Sequence, residues 1–141
     1  MRILVICTGN SCRSQMAHGF LNHFNNEMEV YSAGVHPAYR VMPESIKVMA
    51  EKDIDISKHV PEHVYDYMKD PFDYVITVCD HANETCPIFT GEVKNRMHIP
   101  FPDPIHAKGG FNKRLKAYRE VRDAIEEKFY KLYKEDIEPQ L

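Results

Sequence analysis

Cys7 and Arg13 enclose a short glycine-containing loop whose residue types suit the binding and attack of a tetrahedral oxyanion. Gly9 lets the backbone turn without a steric clash, and a loop wrapped at the start of a helix turns several backbone N–H groups inward. The planar guanidinium of Arg13 can donate to two oxygens of phosphate or a similar anion. The predicted anion-binding residues are Thr8, Gly9, Asn10, Ser11, Cys12 and Arg13.

Cys7 is placed to be the nucleophile of this loop. The positive field of a helix start, together with Arg13, lowers the pKa of a thiol, so we expect a thiolate at neutral pH. Ser14 can donate its hydroxyl to the sulfur, which favours the thiolate and eases its departure as a leaving group. A lone cysteine at a strand end is more often a buried apolar residue. The complete array of Cys7, Arg13 and Ser14 between a strand and a helix instead indicates covalent catalysis.

Two further cysteines, Cys79 and Cys86, follow a later apolar segment. Without an export signal, we expect the cysteines to be free, catalytic or metal-bound rather than permanent disulfides. Taken alone, Cys79 could be a buried strand residue and Cys86 incidental. A metal site that adds His81 is disfavoured because the spacing fits no common zinc pattern. We therefore expect no metal and no cofactor.

The elements that position these residues alternate between apolar strands and amphipathic helices. The predicted strands are residues 2–7, 30–33 and 73–79, with a weak fourth at 97–99. The predicted helices are residues 12–24, one that begins at Pro43, a short one from Ser57 to about Met68, and a long one at 113–133. This alternation predicts an α/β three-layer sandwich, with a four-stranded parallel sheet and helices on both faces.

In such a fold ligands bind beyond the carboxyl ends of the strands, and Cys7 and Cys79 are both expected there. The 141 residues fit a single domain, residues 1–141. A net charge of -3 disfavours nucleic acid as a partner. The apolar N-terminal run is too short for a signal sequence or a membrane span, so we expect a cytoplasmic protein without a membrane partner. We also expect a monomer.

Four sequence blocks resemble the low-molecular-weight tyrosine phosphatase superfamily, in the version carried by thioredoxin-coupled arsenate reductases. They are CTGNSCRSQMAHGF at 7–20, SAG at 32–34, VITVCDHANETCP at 75–87 and FPDP at 101–104. Together they span most of the chain.

The resemblance implies a relay of thiols with arsenate as substrate and thioredoxin as reductant. Cys7 would attack arsenate, Cys79 would attack Cys7 to release arsenite, and Cys86 would attack Cys79, leaving a disulfide for thioredoxin. Asp103 would be the general acid, although an Asp-Pro pair is also ordinary turn chemistry. Many such reductases have two acids before this proline, whereas here Pro102 replaces the first. A weak phosphatase side activity is also expected.

The resemblance also suggests roles around the loop. Asn10 would brace it by bonding to the backbone near Ser32, and Cys12 would have no required role in reduction. Some relatives have a glutamate at position 18 in a monovalent-cation site near Asn10; here the residue is His18, so we do not predict that site. The histidines are expected to be solvated surface residues.

The spacing of Cys79 and Cys86 adds a prediction of its own. If the residues between them were helical, their Cα atoms would be roughly 10 Å apart, whereas a disulfide tolerates no more than about 7 Å. The segment must then bend or unwind on oxidation. Pro87 prevents the helix from continuing, and few apolar residues anchor the segment.

Two other functions stay open. One is a low-molecular-weight protein tyrosine phosphatase that hydrolyses phosphomonoesters through a Cys7 phosphocysteine. Such an enzyme should flank its pocket with aromatic residues, but Gln15 and Met16 follow the loop instead, which favours a small free oxyanion. The other is a noncatalytic phosphate-binding module, which leaves the three thiols without a purpose.

Overall fold

The computed structural model describes residues 1–141 and contains a central four-stranded parallel sheet. Its strands are β1 (Arg2–Cys7), β2 (Glu29–Gly34), β3 (Phe72–Thr77) and β4 (Val93–His98), in the order β2-β1-β3-β4. The apolar run of β1 lies in the middle of the sheet and is fully buried from residue 3 to residue 6, as a strand covered on both faces requires. The predicted four-stranded α/β fold is confirmed.

Four α-helices connect and cover the strands. They are α1 (Arg13–Phe24), α2 (Pro43–Ala50), α3 (Asp80–Thr85) and α4 (Phe111–Leu132). The steps from β1 to β2 and from β3 to β4 run in opposite directions across the sheet, so right-handed crossovers place α1 and α3 on opposite faces. α4 packs on α1 and α2. None of the helices is both long and apolar enough to span a membrane.

The remaining helical segments are short. Val64–Tyr67 and Pro104–His106 are 3-10 turns, and α4 continues into a π-helical turn at Tyr133–Ile137 and a 3-10 turn at Glu138–Gln140.

The predicted helix from Ser57 to Met68 is wrong. The Ser57 N–H donates to the Asp55 carboxylate at 2.8 Å in a local turn, and only Val64–Tyr67 is helical. Pro61 accounts for the difference, because proline lacks a backbone donor and disfavours helical geometry in the residue before it.

Two strand boundaries also differ from the pattern. β3 ends at Thr77, two residues before Cys79, and β4 begins at Val93 rather than near Met97. β4 is an edge strand whose residues are mostly exposed, so it lacks the apolar run by which a central strand is identified. The spacing of apolar residues does not predict α3, because only one of its six residues, Ala82, is buried.

Candidate active site

The end of β1 and the start of α1 border a cavity of about 180 Å³. Its lining residues are Cys7, Thr8, Gly9, Ser11, Cys12, Arg13, Ala38, Asp103 and Ile105. The predicted anion-binding residues therefore all line this cavity except Asn10. Asp103 reaches it from the loop after β4, as the sequence blocks suggest.

The segment after β2 braces the loop by binding its backbone carbonyls. The carbonyls of Cys7, Thr8, Gly9 and Ser11 accept from the N–H groups of Val35, His36, Ala38 and Met42 at 2.8 to 3.1 Å. Because the N–H and C=O of one peptide unit point in opposite directions, the next N–H groups face away from this segment. The sequence does not reveal this brace, because backbone bonds leave no signature in residue type.

The sulfur of Cys7 has two polar partners in an almost fully buried position. It accepts from the Asn10 N–H at 3.1 Å and lies 2.9 Å from Ser14 Oγ. Asn10 Oδ1 accepts from the Glu62 N–H at 3.0 Å, which turns Asn10 Nδ2 toward Ser14 Oγ, at 2.7 Å. Because Ser14 Oγ accepts from Asn10, its own proton is free to point at the sulfur. The contact predicted between Ser14 and Cys7 is thus present.

Burial raises the pKa of the Cys7 thiol, while hydrogen bonds from Ser14 and Asn10 and the charge of Arg13 act in the opposite direction. This direction is opposite to the lowering of the Cys7 pKa that the sequence predicts. The reason lies partly in Arg13, whose guanidinium is bound to other groups: Nη1 donates to the Phe101 carbonyl at 3.0 Å, and Nη2 lies 3.3 Å from Asp103 Oδ2. Desolvation therefore outweighs the favourable donors.

Asp103 and Arg13 form a partly buried ion pair at the cavity wall, with side-chain exposures of 29% and 11%. The other carboxylate oxygen of Asp103 accepts from the Ile105 N–H at 3.0 Å. This bond caps the short turn that follows and fixes the carboxylate. A carboxylate and a guanidinium are thereby held together in the cavity that Cys7 also lines.

Cys79 lies directly beside the anion loop. Its buried sulfur is 3.2 Å from Thr8 Oγ1 and accepts from the Ala82 N–H at 3.4 Å. Because β1 and β3 are neighbours, the Val78 N–H also donates to the Ile6 carbonyl at 2.9 Å. Cys7 and Cys79 therefore lie at the same edge of the sheet, where the strand ends predict them.

Cys86 lies at the opposite end of α3, partly exposed, beside a separate cavity of about 510 Å³. Burial raises the pKa of its thiol, while the nearby charge of Arg96 lowers it. All four cysteines are free thiols. No three histidine, cysteine or acidic side chains are arranged to hold a metal ion together.

The expected bond from Asn10 to the backbone near Ser32 is wrong. Asn10 instead contacts Ser14, Glu62 and Gln15, whose Nε2 donates to both Asn10 O and Asn10 Oδ1 at 3.1 Å. The backbone of Asn10 is in the left-handed region, with φ of 52°, which asparagine tolerates better than most residues. Gln15 thus helps to hold the N–H of Asn10 against the Cys7 sulfur.

A pair of histidines, His18 and His59, adjoins this network through Gln15, and no sequence pattern predicts it. His18 Nδ1 is 2.9 Å from Ser32 Oγ, and its ring lies 4.5 Å from that of His59. Burial, and then the neighbouring His59, lowers the pKa of His18 to about 4. His59 Nδ1 in turn pairs with Gln15 Oε1 at 2.8 Å. The expectation of solvated histidines is wrong for His18, since polarity alone cannot distinguish a buried, paired side chain from a hydrated one.

Comparison with known proteins gives consistent results. The profile of the low molecular weight phosphotyrosine protein phosphatase family matches residues 2–140. An arsenate reductase of Shouchella clausii (strain KSM-K16) is 42% identical over 124 residues, which cover 87% of this chain and 88% of that protein.

Solved structures of two arsenate reductases are also similar to this chain. An arsenate reductase in the phosphate binding state has a TM-score of 0.78 and 29% identity, covering 93% of this chain and 95% of the other. A thioredoxin-dependent arsenate reductase of Corynebacterium glutamicum has a TM-score of 0.71 and 25% identity, covering 99% of this chain and 63% of the other.

Proposed function

The chain belongs to the low molecular weight phosphotyrosine protein phosphatase family, and we propose that it is an arsenate reductase that moves electrons through three cysteines. The observation that carries the proposal is the 3.2 Å contact between Thr8 Oγ1 and Cys79 Sγ, which puts a second thiol beside the loop of the nucleophile. Ester hydrolysis through Cys7 needs no second thiol, whereas reduction of an anion needs a source of electrons. The arsenate reductases among its relatives support the same activity.

In the first step the Cys7 sulfur attacks arsenic. A sulfur–arsenic bond forms, an arsenic–oxygen bond breaks, and the oxygen leaves as water with a proton from Asp103, whose ion-paired carboxylate has first received the proton that the Cys7 thiol loses. Arg13 turns its guanidinium from the Phe101 carbonyl toward the anion, where it offsets the charge on the oxygens. Ser14 stabilises the thiolate form of Cys7 before the attack.

In the second step the thiolate of Cys79 attacks the Cys7 sulfur. A disulfide forms between the two cysteines, and the sulfur–arsenic bond breaks with its electron pair staying on arsenic. Arsenic is reduced by two electrons and leaves as arsenite, while the two thiols are oxidised. The position of Cys79 beside Thr8 supports this order of attack.

In the third step the thiolate of Cys86 attacks Cys79, and Cys7 departs as a thiolate. The product is a Cys79–Cys86 disulfide, which requires α3 to unwind because a helix holds the two Cα atoms roughly 10 Å apart. A dithiol protein of the thioredoxin class then reduces this bond by thiol exchange. The thioredoxin-dependent relative supports this choice of reductant.

A phosphomonoesterase is the second candidate, favoured by the family description and by the trio of Cys7, Arg13 and Asp103, which ester hydrolysis also uses. The cavity wall argues for a small free anion instead. Ala38 and Ile105 contribute aliphatic side chains to the cavity wall, and no aromatic side chain that could support a phosphotyrosine ring lines the cavity. We therefore expect only slow hydrolysis of aryl phosphates.

Arsenate-dependent consumption of NADPH, coupled through thioredoxin and thioredoxin reductase, tests the proposal. The wild type should consume NADPH continuously, Cys79→Ser and Cys86→Ser should lose multiple turnover, and Cys12→Ser serves as the matched control that keeps it. Hydrolysis of p-nitrophenyl phosphate, measured in parallel, should persist in all four proteins. Ester hydrolysis without any arsenate-dependent consumption would identify a phosphatase, and the absence of both would identify a binding module.

A further inference from the structure

α3 is the segment that must change shape in the proposed relay, and polar side chains tie it to the sheet. Cys79 and Cys86 cap its two ends. Because the helix keeps these residues farther apart than a disulfide allows, any contact that stabilises helical α3 opposes the bond between them. The contacts of α3 with its surroundings therefore bear directly on the third step.

Side-chain contacts from α3 to the sheet involve His98, the last residue of β4, and Thr77, the last residue of β3. His98 Nε2 lies 2.9 Å from Asp80 Oδ1, in the first turn of α3. His98 Nδ1 lies 2.9 Å from Thr77 Oγ1, and Thr77 Oγ1 is also 3.3 Å from Asn83 Oδ1. Both ring nitrogens of His98 are thus engaged, one by the helix and one by the neighbouring strand.

On the sheet side these contacts are made by paired strand residues, whereas the helix on the other side has only six residues. Thr77 and His98 are paired in register at the carboxyl ends of β3 and β4. Asp80 and Asn83 lie three residues apart, on the same side of α3. If α3 unwinds so that its two ends can join, at least one of Asp80 and Asn83 must move away from its partner, His98 or Thr77.

We propose that Asp80 and His98, linked through Thr77 to Asn83, are positioning residues that hold α3 helical and so limit how readily Cys86 reaches Cys79. This inference rests on the proposed function, since it concerns the disulfide of the third step. In that step the Cys86 thiolate forms the bond to Cys79, and the bond from Cys79 to its previous partner breaks with the electron pair on the departing sulfur.

The contacts exist in the dithiol form, and at least one of them is lost when α3 unwinds in the disulfide form. They therefore stabilise the reduced state and raise the reduction potential of the Cys79–Cys86 couple. Removing them should lower that potential and accelerate closure of the disulfide. A residue that serves only global stability would not shift the potential in this direction.

The expected effect is modest because the Asp80 side chain is 81% exposed. Exposed ion pairs contribute little, so Asp80→Asn should change the equilibrium between dithiol and disulfide roughly threefold, equivalent to about 15 mV for two electrons. His98→Ala removes contacts to both α3 and β3 and should change it up to about tenfold, or about 30 mV.

The test uses the full chain with Cys7 and Cys12 replaced by serine, equilibrated in glutathione redox buffers. Two thiols of the protein lose two electrons and two protons to glutathione disulfide, and alkylation with mass spectrometry measures the fraction oxidised. Glu84→Gln is the matched control, since it removes the same charge from α3 at a residue without a hydrogen bond or ion pair to His98. Hydrogen exchange of the Asn83 and Cys86 amides in the reduced protein reports the helix itself.

Asp80→Asn and His98→Ala should show lower potentials and faster amide exchange, and Glu84→Gln should show no change. The double variant should differ from the wild type by less than the sum of the two single effects, because the contact that Asp80 and His98 share is removed only once. Unchanged potentials, additive effects, or an equal shift in Glu84→Gln would overturn the inference. Since the measurement uses no arsenate, a failure of arsenate reduction would leave this test intact.

Discussion

Replacing Ser14 with alanine tests how the loop activates its nucleophile. The Ser14 hydroxyl is fully buried, lies 2.9 Å from Cys7 Sγ and is oriented by the amide of Asn10. A hydrogen bond to a charged group contributes about 1.5–3 kcal/mol, which corresponds to a roughly ten- to hundredfold change in the ratio of thiolate to thiol. Ser14→Ala should therefore raise the pKa of Cys7 further above its ordinary value.

The effect on reaction rate is smaller than the effect on ionisation. A more basic thiolate is also more nucleophilic, with a Brønsted coefficient of about 0.4–0.5, so about half of the logarithmic change is offset. The alkylation of Cys7 by iodoacetamide at neutral pH should fall roughly three- to tenfold. At a pH high enough to ionise both proteins the deficit should reverse, because the more basic thiolate of Ser14→Ala is then the better nucleophile.

The assay needs Cys7 as the sole thiol, so it uses a background with serine at positions 12, 79 and 86. Ser11→Ala is the matched control, because its hydroxyl approaches Cys12 at 3.7 Å rather than Cys7. Removal of the Ser14 hydroxyl leaves the Asn10 side-chain amide without its acceptor, which could destabilise the fold. Urea denaturation of Ser14→Ala therefore verifies that the variant is folded. Superimposable pH profiles in Ser14→Ala and its parent would refute the reasoning, as would a deficit that persists at high pH.

Three further predictions concern the surroundings of the loop. A Cβ at Gly34 would lie 2.6 Å from the Thr8 carbonyl, so Gly34→Ala should displace the loop and weaken phosphate binding at least about tenfold by calorimetry; unchanged affinity would contradict this. His18 is uncharged when folded, with a pKa of about 4. The unfolded chain therefore binds the proton first as pH falls below about 6.5, and lowering the pH from 7 to 5 should cost roughly 1–2 kcal/mol in urea denaturation. His18→Gln should remove that part of the pH dependence, and an equal loss in both proteins would argue against it. Cys12→Ser should keep arsenate turnover within about threefold, and complete loss of turnover in a folded protein would reverse that assignment.

The sheet and the nucleophile's surroundings could be predicted because strong local patterns specify them. The apolar run of β1 predicts a strand that is buried on both faces, as it is in the structure. Because the carboxyl ends of parallel strands meet at one edge of a sheet, the ends of β1 and β3 predict that Cys7 and Cys79 lie together. The contact between Cys7 and Ser14 followed from their spacing across a helix start.

The structure differs from the prediction at residues whose burial and hydrogen-bond partners are set by long-range contacts. Gln15 is a polar residue of α1 that is nevertheless buried, because Asn10 and His59 provide partners that no local pattern encodes. β4 could not be bounded because an edge strand needs no apolar run. The direction of the Cys7 pKa was missed because burial of the sulfur raises it, and the extent of that burial is decided by long-range packing.

The order of the relay can be tested most directly by one turnover with arsenate in the absence of any reductant. After acid quenching, alkylation and peptide mapping should find a Cys79–Cys86 disulfide in the wild type, with one arsenite released per chain. In Cys86→Ser the same experiment should trap a bond between Cys7 and Cys79, the two thiols that meet beside Thr8. Arsenite release with Cys79 still a free thiol, or no arsenite at all from a protein that hydrolyses p-nitrophenyl phosphate, would contradict the three-cysteine relay.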